Sequence, residues 1–332
     1  MLNRKKGIKL VAYVILAIGF IILAAQTDVR EIIYYLSLID RKYLLLGMLM
    51  QIFTMILLAI QWSSMVGMAG FQPNFTQAFL MNAVGNVADA LNPGVKVGGE
   101  YFRYDQLRNR FGMLSEDSIL VVALQKLVSV SAFFLLASMS LVYLIFHTDT
   151  ESPLIASISV TIIVFGSIIT LLAFLFLKPN LLYKLVNKMK VKEMTKDKIC
   201  RFLNNYHEAL DYFKKDNFKI VVQFALALFI WVFYAVKLHI VSKAFGIEMN
   251  PFMTAAITYI TYMIGMIPLL PGSIGSFEAG MIALFALAGI ASSFAVSVSV
   301  VFRIVTFWFE FAFCAFVLVV ERLFKTQKKC VE

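Results

Sequence analysis

The sequence predicts an all-α polytopic membrane protein, and three observations carry that prediction. Hydrophobic residues make up 61% of the 332 positions and charged residues 15%, against roughly 45–50% and 25% in ordinary soluble domains. Mean hydropathy is +0.83. Apolar runs long enough to cross a hydrocarbon core of about 30 Å recur along the whole chain, and two of them are broken by clustered Gly and Pro.

The first run, 8–25, follows Arg4, Lys5, Lys6 and Lys9 and lacks a small-residue cleavage site, so it reads as a first transmembrane helix rather than a removed leader. Further spans are expected at 43–68, 118–146, 153–177, 219–243, 252–269, 274–291 and 295–320, giving about eight crossings in one integral membrane domain over 1–332. Segment 75–91 is another apolar helix, but its polar residues and broken end favour a re-entrant or interfacial placement. The pair 252–291 either crosses twice or re-enters; the parity is the same.

Basic residues orient this layout. Lys and Arg gather in the N-terminal arm, in the 71–116 region (Lys96, Arg103, Arg108, Arg110), in the 178–218 connection, which has ten, and after the last span. The 147–152 connection has none. With both termini cytoplasmic, every heavily basic segment falls inside, as positive-inside orientation requires. The expected location is therefore the cell membrane, multi-pass. The 178–218 connector has Leu, Met, Phe and Tyr at helical spacing among lysines. It is either a basic amphipathic pair of helices on the anionic leaflet or a connector packed by its apolar face on the bundle.

The formal net charge of +10 would suggest nucleic acid in a soluble protein; here the charge is explained by orientation, and no nucleic-acid partner is expected. Cys200, Cys314 and Cys330 are isolated and His147, His207 and His239 scattered, so neither a metal site nor a cofactor is expected. No phosphate-binding loop, nucleophile elbow or kinase signature occurs.

The chemistry sits at the breaks. In the first, the helix ending near Asp89 stops at Asn92-Pro93-Gly94, and the chain passes Lys96, Gly98 and Gly99 before restarting with Glu100 and Arg103. The two glycines permit close backbone approach. A helix start beside Lys96 and Arg103 suits a phosphate diester, while Asp89 and Asn92 offer acceptors to an ammonium group. The bland alternative is a capped turn with surface charges, Glu100 and Arg103 pairing at i, i+3.

The second break, Pro268 to Glu278, repeats the logic with Gly272 and Gly275 at the turn and Glu278 in the next helix's first turn. Glu278 suits the helix dipole in any case, but no Lys or Arg lies between Lys243 and Arg303. Arg303, about a third of the way into the last span, needs a partner or a wet cavity at that depth. Glu310, two turns on, and Glu278 are the candidates. Lys126 reads as a weaker case that snorkels, and Lys237 as weaker still, close to the outer end of its span.

Pro93-Gly94, Gly98-Gly99-Glu100 and Arg103, then Pro271-Gly272, Gly275, Glu278 and Arg303, make this chain resemble the flippase-like transmembrane family. That family is typified by the N-terminal region of the lysylphosphatidylglycerol synthases, the multiple peptide resistance factors. Each motif alone is weak; their order and spacing together are specific. The resemblance implies translocation of an aminoacylated or otherwise modified lipid, with Glu100, Arg103, Glu278 and Arg303 mattering most. Bifunctional members carry a soluble aminoacyltransferase domain, for which the sequence has no room before Glu332, so lysyltransferase activity is not expected.

The expectation is thus a flippase for a phospholipid or glycolipid, downhill or coupled to an ion or the membrane potential. The candidate substrate residues are Asp89, Asn92, Lys96, Gly98, Gly99, Glu100, Arg103, Gly272, Gly275, Glu278, Arg303 and Glu310. The alternative is a membrane component of, or partner to, a lipid headgroup transferase such as phosphatidylglycerol lysyltransferase. Expected partners are the membrane lipid, a separate soluble transferase and a second copy of the chain.

Overall fold

Long apolar helices need other helices or lipid on every side, and the sequence supplies both. The computed structural model describes residues 39–91, 97–147, 153–178, 193–214, 217–266 and 275–331, with Tyr34, Ser37, Tyr183 and Ser273. The described residues form helices and no strands: α1 (Arg41–Met68), α2 (Phe75–Leu91), α3 (Val97–Phe111), α4 (Ser115–His147), α5 (Pro153–Leu177), α6 (Glu193–Lys214), α7 (Asn217–Ala244), α8 (Pro251–Gly265), α9 (Ser276–Leu287), α10 (Ser292–Arg303) and α11 (Phe309–Val331), the last two joined by a π-helical turn at Ile304–Trp308. The expected span 8–25 lies outside the described residues.

Four rods (α1, α4, α7 and the continuous α10–α11) are long and apolar enough to cross a membrane. Their outward faces stay apolar: Leu49, Leu135, Val142, Val221, Phe229 and Phe316 are all exposed. A soluble protein would bury such residues; lipid is the solvent that suits them. The 25-residue α5 runs beside α4, burying Ile155, Ile158 and Ile162 against it.

Contacts between rods set their directions. The start of α1 meets the end of α7, where the Asp40 amide donates to the Ala244 carbonyl at 3.4 Å. This is the far end of the bundle. At the near end α4 begins and α6 docks, with Asn205 donating to Glu116 at 3.2 Å.

Two pairs of helices differ from the rods. Helix α2 starts at the near end, where Ser63 on α1 donates to the Pro73 carbonyl at 3.4 Å, and α3 returns beside it. Helix α8 starts at the far end, where Phe252 meets Tyr143 near the end of α4, and runs inward past Phe133. With 17, 15, 15 and 12 residues, these helices are about 18–25 Å long, short of a ~30 Å core. The two pairs are hairpins entering from opposite ends. Of the two alternatives for 252–291, the described residues fit a re-entrant pair: α8 and α9 have 15 and 12 residues and lie antiparallel, with Gly265 against Phe277 and Gly280 against Ile264.

The α8–α9 hairpin is packed into the bundle, with Ile257, Ile260, Phe277, Met281 and Phe285 fully buried among α4, α7 and α10 residues. Gly280 brings it close, since a methyl group there would stand 2.9 Å from Ile264 Cδ1. The α2–α3 hairpin packs on α1, α4 and α11. Helix α6 inserts Leu203, Tyr206 and Leu210 beside Leu107 of α3 and Leu120 of α4. The apolar face of this described part of the connector therefore packs on the bundle.

Candidate functional site

Each hairpin takes part in one buried arginine–carboxylate contact: α3 supplies Arg103 in the first, and α9 supplies Glu278 to Arg303 of the α10 rod in the second. On α2, Asn82, Asn86 and Asp89 fall at i, i+4 and i+7, one face of the helix, and that face receives Arg103 from α3. Arg103 is 6% exposed. Its Nη1 lies 3.3 Å from Asp89 Oδ2 and 3.2 Å from Glu100 Oε1; Nη2 donates to Asn86 at 2.7 Å and Nε to Asn82 at 3.3 Å. Gly85 makes room, because a methyl group there would stand 2.4 Å from Arg103 Nε. Gly99 does the same for Asp89, whose Oδ1 accepts from the Gly99 amide at 3.0 Å.

Glu100 also accepts from Lys126 of α4 at 3.1 Å. Burial pushes the Glu100 carboxyl up, but Arg103 and Lys126 more than offset this, leaving it below its ordinary value of 4.5. The Glu100–Arg103 pairing therefore exists, inside a larger buried cluster rather than on a surface turn. Lys126 does not simply snorkel, since it ties α4 to α3. Gly98 is half-buried in the first turn of α3. Asn92 and Lys96 lie outside the described residues, as does Gly272 of the other hairpin.

In the second hairpin Glu278 does two things. Its Oε2 accepts from the Gly275 amide at 2.7 Å, closing the start of α9, and its Oε1 accepts from Arg303 Nε at 3.0 Å. Gly275 has φ 86°, a left-handed conformation that costs a side-chain-bearing residue roughly 1–2 kcal/mol. Arg303 is 7% exposed and lies between the rings of Phe277 and Phe307, at 4.9 and 4.2 Å. Aromatic faces and one carboxylate together hold a cation that lipid alone would not.

The spacing of Arg303 and Glu310 puts them on one face of a regular α-helix. The π-helical turn between them changes that. Such a turn takes roughly 4.4 residues, so five residues advance about 90° less than an α-helix would. Arg303 faces Glu278, while Glu310 is turned towards α1 and α2, where Gln51 donates to Oε2 at 2.8 Å and Asn86 to Oε1 at 2.6 Å.

The family model for the lysylphosphatidylglycerol synthase TM region matches residues 9–314. The chain belongs to that family. A UPF0104 membrane protein of Methanothermobacter thermautotrophicus is 21% identical over 89% of this chain and 91% of its own length. Another UPF0104 membrane protein, from Methanocaldococcus jannaschii, is 21% identical over 89% and 90%. A second M. thermautotrophicus relative is 25% identical over 38% of this chain.

This member of the family holds residues that sequence reasoning passed over. Lys237 lies about two turns from the end of α7 and is completely buried. Its ammonium donates to Gln51 and, at 3.3 Å, to Thr54, and sits 3.8 Å over the Tyr234 ring. Gln51, Asn82, Gly85 and Asn86 were also missed. The polar 82/86/89 stripe on an apolar helix was the available signal. Gln51 had none, since a single glutamine in a span is as often packed as functional.

Proposed function

We propose that this protein is a lipid translocase that moves a modified phospholipid, or a lipid-linked headgroup, between leaflets. The observation that carries the reading is the pair of short hairpins entering from opposite ends, each with a carboxylate on a buried arginine: Arg103 within the α2–α3 hairpin, and Arg303 of the α10 rod against Glu278 of α9. Interrupted helices that meet from both sides are the architecture of alternating access. Ionised groups at such depth mark pathways more often than scaffolding.

The charge pattern narrows the substrate class. Arg103 and Lys126 face Asp89 and Glu100, and Arg303 faces Glu278, so the formal charges of each half-site balance. A headgroup bearing both phosphate and ammonium can take over both partners of such a pair, phosphate at the guanidinium and ammonium at the carboxylate. Aminoacylated and other zwitterionic or cationic phospholipids have that pattern. Positive-inside counting supports a cytoplasmic side for the α2–α3 half-site.

The test is leaflet exchange of labelled phospholipids and glycolipids in proteoliposomes. Wild type should exchange an aminoacylated phospholipid, and Arg303→Ala and Glu100→Gln should each abolish exchange with folding intact. Exchange that both variants leave unchanged overturns the site assignment. Absence of protein-dependent exchange for every headgroup class overturns the translocase reading.

A further inference from the structure

A continuous chain of hydrogen bonds leaves the first half-site and runs through the bundle to a buried lysine. Arg103 Nη2 donates to Asn86, and Asn86 donates to Glu310 Oε1. Glu310 Oε2 accepts from the Gln51 amide, whose oxygen accepts from Lys237. Glu310 is thus a single carboxylate one amide away from each of two buried cations. The chain crosses four elements (α3, α2, α11 and α1) and ends on α7.

It also covers depth. At the near side, Gln125, neighbour of Lys126, donates to Gln61 at 3.1 Å, and Gln61 donates to the Gln223 carbonyl at 3.3 Å. Gln223 and Lys237 are about 21 Å apart along α7. The ionised groups from Lys126 to Lys237 therefore occupy about two thirds of a ~30 Å core.

Among the described residues, groups on several elements face Glu310. Lys237 and Tyr234 come from α7, Tyr262 from α8, and Cys314 from its own helix. On α2, Asn86 bonds it and Asp89 lies one turn further on; α1 contributes neutral Gln51, and α3 contributes Arg103 through Asn86. The hydrogen-bond partners of the Lys237 ammonium, Gln51 and Thr54, are both neutral. An amide-separated pair holds its charges more weakly than a direct contact, because the attraction falls with distance while the desolvation does not.

We propose that the Lys237–Gln51–Glu310 cluster is a proton-binding site that couples headgroup movement to a transmembrane proton gradient. This inference rests on the translocase reading and names its energy source. Uptake of a proton converts the Glu310 carboxylate to the neutral acid and removes the countercharge that Asn86 relays to Arg103. Arg103 then attracts an anionic phosphate more strongly, and phosphate binding in turn favours protonation, since linkage is reciprocal. Release of the proton towards the other side of the membrane restores the carboxylate and the resting chain.

The experiment uses the full chain in proteoliposomes containing a labelled aminoacylated phosphatidylglycerol. With one proton moved per headgroup, a pH step of about one unit biases the final leaflet distribution by up to about tenfold. Glu310→Gln, which mimics the neutral acid, should lose the dependence of the final distribution on the step. An even distribution in wild type overturns the coupling while leaving the translocase reading intact. A bias that survives in Glu310→Gln overturns the assignment to this site.

If no lipid exchanges, the translocase reading fails, and the proton site is judged separately by infrared spectroscopy of the purified protein. A carboxylic-acid C=O band that titrates in wild type and is missing in Glu310→Gln supports the site. Lys237→Met should move that titration to higher pH, because loss of a nearby cation favours the neutral acid. Absence of the band in wild type overturns the proposal.

Discussion

Replacing Gly85 with alanine sets a methyl group against the Arg103 guanidinium, 2.4 Å from Nε, 2.6 Å from Cζ and 2.8 Å from Cγ. Carbon contacts settle near 3.5 Å, so the side chain must retreat by about 1 Å. The bonds to Asn82 at 3.3 Å and Asn86 at 2.7 Å have little slack, and at least one breaks. A hydrogen bond to a charged group contributes about 1.5–3 kcal/mol, whereas Gly→Ala in a helix interior returns up to about 1 kcal/mol. The net expectation is a destabilisation of about 1–3 kcal/mol with loss of lipid exchange. Gly67→Ala is the control, because nothing stands within 4 Å of its added methyl group, and it should be neutral or stabilising. Both are read by denaturant titration in mixed micelles beside wild type. If the two variants shift stability in the same direction by similar amounts, Arg103 does not lie across Gly85 as described.

Two further outcomes follow from the hairpins. Gly275→Ala puts a side chain at φ 86° and should lower stability by roughly 1–2 kcal/mol; an unchanged unfolding midpoint would show that the turn has another backbone conformation. For Glu100, the folded carboxyl lies below its ordinary value of 4.5. Its contribution is present above that value and is lost as pH falls through the lower, folded one. Stability of Glu100→Gln should therefore fall less than wild type across that acid window, and parallel acid profiles would refute the pairing with Arg103 and Lys126.

The all-helical membrane fold was legible because hydropathy and length decide it almost alone. The hairpins were legible in part: Gly and Pro announced the breaks, but whether 252–291 crosses depends on where helices end, and α8 stops at Gly265 with only 15 residues. The Arg303–Glu278 contact was among the options that spacing allowed. Spacing on a regular helix could not show that Glu310 turns away, because a π-helical turn leaves no residue-type signature. Lys237 was misread for a related reason. Distance from the end of a span measures depth and not facing, and facing is set by α1, whose Gln51 lies 186 positions away in sequence.

The resting arrangement also bears on why a proposed translocase would not leak. Buried ion pairs add little net stability, since desolvation offsets most of the attraction, yet removing one partner costs about 3–5 kcal/mol. Pulling α2 from α3 separates Asp89 from Arg103, and pulling α9 from α10 separates Glu278 from Arg303. Without a replacement, each opening leaves an uncompensated charge in a poorly solvating interior, so the empty state stays shut. A simple anion could satisfy the arginines but would abandon the carboxylates, and an amine alone would do the reverse. Only a headgroup carrying both charges replaces what each opening removes. On this proposal selectivity and tightness share one cause: two buried ion clusters, one in the α2–α3 hairpin with Lys126 and one between α9 and the α10 rod, each costly to break singly.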